Sequence, residues 1–214
     1  KRLFPNFAFI DAPFNLAFYK EGDVNTEVSY MGCRTRVVAD VTSPDNQIVT
    51  GRGNLSFTTI NLPRLGIKYG IALGERDKAD MKGFYEELGE IIDKVRDQLL
   101  ERFEVQCNKR CYNFPFLLGQ GVWTNGEKLK PTDRLRKVWK HGTLSTGFIG
   151  LAECLKALTG KHHGESEESQ KLGLEIIGHM RKFCDVKSEL TGLNFTLLAT
   201  PAEGLSGRFV NIDK

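Results

Sequence analysis

The stretch Gly51-Arg52-Gly53-Asn54-Leu55-Ser56-Phe57-Thr58-Thr59-Ile60-Asn61-Leu62-Pro63-Arg64-Leu65 decides the reading of the fold. From Leu55 to Leu62 it alternates apolar and hydroxyl-bearing residues, as a half-buried strand does, and Pro63 then stops the strand because it has no N–H to give a ladder. Upstream, residues 37–41 and 48–50 flank Ser43-Pro44-Asp45-Asn46, a turn-rich sequence. A hairpin-like excursion is expected there, leaving Cys33 on the approach to one arm and Asn54 just past the other. Further back, residues 7–18 and 27–30 are short apolar or β-prone pieces broken by Pro13 and by Gly22-Asp23, so the opening reads as strand and loop.

Downstream the period changes. Between 77 and 104, Met81, Phe84, Leu88, Ile91, Ile92, Val95, Leu99 and Phe103 recur at steps of three and four, which predicts a long amphipathic helix. Its polar side, with Glu86, Glu87, Glu90, Asp93, Lys94, Arg96, Asp97 and Glu101, reads as a solvated face and not as a metal or partner site. A second helix is expected over 149–158, ending at Thr159-Gly160, where glycine suits a left-handed cap. A third follows Glu165-Ser166-Glu167-Glu168, whose hydroxyl and carboxylates suit a donor-rich helix start, and continues to about Phe183. Residues 193–199 form an apolar, β-prone run that opens into Thr200-Pro201-Ala202-Glu203-Gly204-Leu205-Ser206-Gly207, predicting strand, tight turn and helix start. Strands early, a long central helix and a helix-rich second half returning to a strand imply an α/β architecture. With no internal repeat or low-complexity stretch, the chain is not divided into domains.

Composition narrows the function classes. The chain has 214 residues, 40% of them hydrophobic, enough to bury a sizeable core. A formal net charge of +3, with basic residues interleaved with acids, argues against a nucleic-acid partner. No apolar run is long enough to span a bilayer, and Lys1-Arg2-Leu3-Phe4-Pro5 lacks the pattern of a signal peptide, so no membrane partner and a cytoplasmic location are expected. The five cysteines, at 33, 107, 111, 154 and 184, are odd in number and widely spaced, which favours reduced thiols over a disulfide framework.

Cys33 stands in Met31-Gly32-Cys33-Arg34-Thr35-Arg36, after a glycine that permits close backbone approach and before two arginines that favour anions. Residue types alone leave it open between an inert and a reactive thiol. Asn54 can donate and accept at once, which suits adjacent hydroxyls on a sugar, although an asparagine capping a turn has the same look. The 200–207 turn is the kind of place where backbone N–H groups receive phosphate, and equally an ordinary strand-to-helix connection. Glu203 opposes phosphate unless it turns away or pairs with Arg208. Cys107 and Cys111 are spaced to share a helix face, but two ligands do not close a metal site. His162-His163 reads as solvent-facing or capping, His141 as a wall or strand-orienting residue, and Cys154 and Cys184 as small core residues.

Four blocks in one order, residues 31–34, 51–65 (GRGNLSFTTINLPRL), 141–153 (HGTLSTGFIGLAE) and 194–209 (NFTLLATPAEGLSGRF), resemble the anaerobic, glycyl-radical (class III) ribonucleoside-triphosphate reductases. The resemblance covers nearly the whole chain and implies part of a ten-stranded α/β barrel. It makes these residues the central portion of the catalytic barrel domain, without the family's N-terminal nucleotide-sensing region and C-terminal glycyl-radical region. It implies that Cys33, at the tip of a loop, becomes a thiyl radical and abstracts the ribose 3′ hydrogen. Asn54 then faces the substrate hydroxyls, and Thr200, Pro201, Ala202, Glu203, Gly204, Leu205 and Ser206 form the substrate phosphate loop. It further implies a ribonucleoside triphosphate substrate, a glycyl radical stored outside this segment and formate or a dithiol as reductant. A zinc site elsewhere in the full-length protein, a radical-SAM activating enzyme and a homodimer follow from it as well. Because a relayed hydrogen atom needs no depressed thiol pKa, Arg34 and Arg36 are not read as thiolate activators; a carboxylate partner and a substrate role both stay open. Another glycyl-radical enzyme, an acyl or C–C lyase, shares such a barrel and cysteine loop. A non-catalytic, nucleotide-responsive regulatory domain is the alternative from a different class.

Overall fold

A computed structural model describes residues 7–28, 30, 31 and 35–214. Along the chain the elements are α1 (Pro13–Leu16), β1 (Tyr30–Met31), β2 (Thr35–Arg36), β3 (Asn54–Asn61), α2 (Leu62–Tyr69), α3 (Met81–Cys107), α4 (Arg136–Trp139), β4 (Thr143–Ile149), α5 (Leu151–Thr159), α6 (Glu167–Thr191), β5 (Asn194–Ala199) and α7 (Glu203–Asp213). β1 and β2 pair antiparallel, with Tyr30 opposite Arg36 and Met31 opposite Thr35. The other sheet has the order β3-β4-β5 and is parallel, so its connections are helical crossovers, as parallel pairing demands. The architecture is mixed α/β, as the order of patterns implies. None of the described helices is long and apolar enough to cross a membrane.

Two compact units divide the chain. The first comprises Lys1–Ser56, Glu101–Leu144 and Ser188–Asn194; the second comprises Phe57–Leu100, Ser145–Lys187 and Phe195–Lys214. In the first unit Phe103, Leu135, Val138 and Trp139 are buried. Trp139 meets Trp123 edge to face at 4.8 Å between ring centroids, and the Trp123 indole N–H donates to Val138 O at 2.9 Å. In the second, the expected stripe of α3 buries Phe84, Leu88, Ile92, Val95 and Leu99, while α2 packs on α5. That packing is tight at Gly66, where a β-carbon would lie 2.8 Å from the Cys154 Cα and 2.7 Å from its carbonyl oxygen.

Local chemistry explains where the pattern reading differs. The 7–18 piece is not strand and loop throughout: Pro13 opens the helical turn α1, a position where its missing N–H costs nothing. Residues 37–50 form no ladder among the described residues; the Gln47 side chain closes the turn instead. Its Oε1 accepts from Asp40 N at 2.9 Å, and its Nε2 donates to Ser43 O at 2.9 Å and Pro44 O at 3.0 Å. Pro63 ends β3 by starting α2, whose cap is Asn61 Oδ1 accepting from Arg64 N at 3.3 Å. β4 carries no alternation because Thr143 to Gly147 are all buried, as in a strand covered on both faces. α5 ends at Gly160 with φ +84°. α6 starts from the expected cap, Ser166 Oγ accepting from Ser169 N at 3.1 Å, but runs on to Thr191 before Gly192 at φ +64° releases it.

The close approach at Gly66 gives a direct test of the second unit. Gly66→Ala in the full-length protein should lower stability by about 1–3 kcal/mol, the usual cost of overpacking, because the obstructing atoms belong to the backbone of α5. Denaturant unfolding measures it, and an unchanged midpoint would contradict the helix contact.

Candidate active site

Asn54 is the first residue of β3 and is half-buried. Its Oδ1 accepts from the Thr143 hydroxyl at 3.3 Å, and Thr143 N donates to Gly53 O at 3.0 Å, so the start of β4 holds both the carboxamide and the backbone before it. Gly51 is needed at the approach. It has φ +65°, its carbonyl accepts from Thr124 N at 2.7 Å, and a β-carbon there would sit 2.6 Å from Thr124 Oγ1.

Between these glycines, Arg52 turns inward. Its Nε donates to His141 O at 2.8 Å, Nη1 to Ile48 O at 2.9 Å and Nη2 to Ala39 O at 2.7 Å, with Asp40 Oδ2 at 3.8 Å from Nε. Asp40 in turn accepts from Thr42 N at 3.0 Å, Thr42 Oγ1 at 2.8 Å and Asn194 Nδ2 at 3.0 Å through Oδ1. Its Oδ2 lies 2.8 Å from His141 Nδ1, which is also 3.0 Å from Thr42 Oγ1. Asn194 completes the cluster, accepting from Val41 N at 2.9 Å and donating to Lys140 O at 3.2 Å. Asp40, Arg52, His141 and Asn194 are all buried. Burial alone pushes the Asp40 carboxyl up, but the donors Asn194, His141 and Thr42 and the charge of Arg52 outweigh it, and the net shift is downward. Burial pulls the Arg52 pKa down against the opposing pull of Asp40.

In the second unit, β5 opens into the 200–206 turn. Thr200 is buried, its N–H donates to Phe148 O at 3.0 Å, and its hydroxyl shares a hydrogen bond with Thr59 Oγ1 at 2.9 Å. Pro201 and Ala202 lead into α7, where the first closing bond runs from Ser206 N to Ala202 O at 3.0 Å. The N–H groups of Glu203, Gly204 and Leu205 precede it, and no side chain at Ala202 caps them. Glu203 is exposed and forms no ion pair with Arg208 among the described residues. The far end of α7 is tied down by Asp213, which accepts from Asn61 Nδ2 at 2.7 Å and from Arg64 at 3.2 Å.

The remaining sequence candidates separate clearly. Cys33 and Arg34 lie outside the described residues. Arg36 stacks over the Phe14 ring at 5.0 Å and donates to Phe14 O and Asn15 Oδ1, neither of which is a carboxylate. Cys107 and Cys111 do not share a helix face, because α3 ends at Cys107 and Cys111 starts a separate turn. Cys107, Cys154 and Cys184 are buried, which pushes their thiols up to about 11, about 12 and about 11. His162 caps its own turn, its Nδ1 accepting from Gly164 N at 3.0 Å, with Glu165 at 3.5 Å from Nε2. Among the described residues no three His, Cys, Asp or Glu side chains cluster as metal ligands. Of Asp40, Arg52, Thr143 and Asn194, only Arg52, a cation fixed between two glycines, carries a local signal in the sequence.

Comparison with known proteins adds the family. The family model described as anaerobic ribonucleoside-triphosphate reductase matches residues 1–214. An anaerobic ribonucleoside-triphosphate reductase of Salmonella typhimurium is 31% identical over 186 residues, covering 86% of this chain and 25% of that protein. The enzyme of the same name from Enterobacteria phage T4 is 31% identical over 215 residues, covering 100% of this chain and 32% of its own length. That from Escherichia coli is 30% identical over 186 residues, again 86% of this chain and 25% of the relative. The chain therefore spans a quarter to a third of the curated relatives it matches.

The buried cluster makes its own prediction. Asp40→Asn keeps the shape but leaves Arg52 without its counter-charge, and should cost roughly 3 kcal/mol, the scale for breaking a buried pair. Asp40 has a folded pKa below its unfolded value of about 3.9, so its contribution is present above that pH and lost as pH falls through the folded value. Urea unfolding of the full-length protein should show a wild-type advantage at pH 7 that shrinks below pH ~4. A gap that stays constant into acid would contradict the charged cluster.

Proposed function

Because this chain belongs to the anaerobic ribonucleoside-triphosphate reductases, we propose that it forms part of a cytoplasmic enzyme that reduces ribonucleoside triphosphates to 2′-deoxyribonucleoside triphosphates without oxygen. The match of the family model along all 214 residues is the observation that carries this reading. Three parallel strands joined by helical crossovers are what one section of a ten-stranded α/β barrel contributes, and on this reading the present residues are its central portion. A homodimer and a radical-SAM activating enzyme belong to the same proposal.

In the proposed reaction Cys33 gives up its thiol hydrogen atom, and the sulfur then takes the 3′ hydrogen of the bound ribose. The 2′ hydroxyl takes up a proton and leaves as water. After the sugar gains two electrons and a proton at C2′, Cys33 returns the hydrogen atom to C3′. A glycyl radical held outside these residues supplies the initial one-electron oxidation, and formate or a dithiol supplies the two electrons. Cys33 lies outside the described residues, and its role is proposed from the family to which the whole chain belongs. Asn54 binds the adjacent ribose hydroxyls. Its anchoring by Thr143 supports this, since a carboxamide held at one oxygen is aimed before substrate arrives. The triphosphate meets the uncapped N–H groups of Glu203, Gly204 and Leu205 at the start of α7, where the helix dipole also favours an anion.

Two substitutions in the complete, activated enzyme test these two roles, each by itself. Asn54→Ala should lower kcat on the order of 10²-fold, the scale for one preorganised hydrogen-bonding group, with a small change in KM. A wild-type kcat would remove Asn54 from the site. Gly204→Ala meets open space in the fold, so it should leave stability unchanged while its methyl group crowds a bound phosphate. KM for the ribonucleoside triphosphate should rise about tenfold with kcat nearly constant, as expected when uniform binding is lost. An unchanged KM would contradict phosphate binding at this turn.

A further inference from the structure

Gly147, in the middle strand β4, is buried and faces two hydroxyls: a β-carbon there would overlap Thr200 Oγ1 and come within 2.9 Å of Thr59 Oγ1. Thr59 lies on β3, and Thr200 is the residue that follows β5. With β4 between β3 and β5, the two side chains reach each other only across the position where β4 has no side chain. Their hydroxyls share a hydrogen bond of 2.9 Å over that gap. Two residues back on the same face of β4, Ser145 makes a second rung with Thr196 of β5 at 2.8 Å. The Thr200 backbone is held as well, donating to Phe148 O of β4 at 3.0 Å.

From this arrangement we infer that Thr59 and Gly147 are positioning residues for substrate phosphate: the Thr59–Thr200 bond over Gly147 fixes where the 200–206 turn begins and hence where its N–H groups point. The inference rests on the phosphate reading of that turn. Its chemistry is ordinary. A turn that presents backbone donors to an anion gains by being held in place before the anion arrives, because less ordering remains to be done on binding. On this inference Thr59 acts through Thr200, whose hydroxyl it bonds. A valine at 59 has the same shape without the hydroxyl, and a serine keeps the hydroxyl without the methyl group.

The test uses the complete, activated enzyme, assayed without oxygen with a ribonucleoside triphosphate, beside a thermal unfolding measurement. Thr59→Val should raise KM about fivefold with kcat nearly unchanged, and Thr59→Ser should restore KM to within a factor of two, on the scale of one hydrogen bond. Gly147→Ala, which drives a methyl group into the hydroxyl pair, should raise KM at least as far, and it carries the same test should Thr59→Val not fold. If folded Thr59→Val and Gly147→Ala enzymes keep the wild-type KM while Gly204→Ala raises it, the phosphate turn stands and the positioning role is overturned. If Gly204→Ala also leaves KM unmoved, the phosphate reading falls and takes this inference with it. If neither variant at 59 or 147 folds, the contact is purely structural and the inference is likewise overturned.

Discussion

The buried pair of Asp40 and Arg52 is the constraint on which the first unit depends. Removing two opposite charges from water costs several kcal/mol per ion unless nearly every polar atom is met by a partner. Here the partners are the loop itself. Segment 37–52 has no strand ladder, so its carbonyls need donors from elsewhere, and Arg52 supplies them to Ala39 and Ile48 while holding His141 O with its third nitrogen. Asp40 collects Thr42, His141 and Asn194. An irregular loop, the approach to β4 and the first residue of β5 are thereby bound to a single charge pair, two residues before Asn54.

That rigidity matters for the chemistry proposed. Hydrogen-atom transfer has no long-range attraction to guide it; the reacting atoms must already be in contact, and competing hydrogen donors must be kept away. Fixed loops and strand ends meet that demand better than mobile ones. Asn54, seated on Thr143, and Thr200, seated on Thr59 over a glycine, use the same device: a hydroxyl from another strand of the sheet fixes a residue at a strand end. The described cysteines with raised pKa values, Cys107, Cys154 and Cys184, are buried and suited to packing, not to ionisation.

Some of this was legible in the sequence, for physical reasons that differ by element. The stripe of α3 is a local, repeating pattern, and it lies where the period places it, shifted by a few residues at each end. Gly160 and Ser166 mark helix ends because caps are local chemistry too. β4 was missed because burial on both faces erases alternation, and α2 because a proline that ends a strand also starts a helix. The hairpin expected over 37–50 failed for a different reason: Gln47 folds back on its own turn and replaces the ladder. Asn54 and the 200–206 turn were marked out as candidates by the wording of whole blocks, and their roles stay with the proposal. Asp40 was not, since its partners His141 and Asn194 lie 101 and 154 residues away, a distance no local pattern spans.

The central claim is that a hydrogen atom passes through Cys33. It is tested most directly by Cys33→Ser in the complete enzyme, activated without oxygen, with electron-spin measurement of the glycyl radical beside an assay for deoxynucleotide product. Serine nearly keeps the shape but forms a much stronger O–H bond, so it cannot relay the atom. The account predicts a glycyl radical signal of wild-type size, nearly unchanged nucleotide affinity and no deoxynucleotide. Deoxynucleotide formed at the wild-type rate by Cys33→Ser would contradict it.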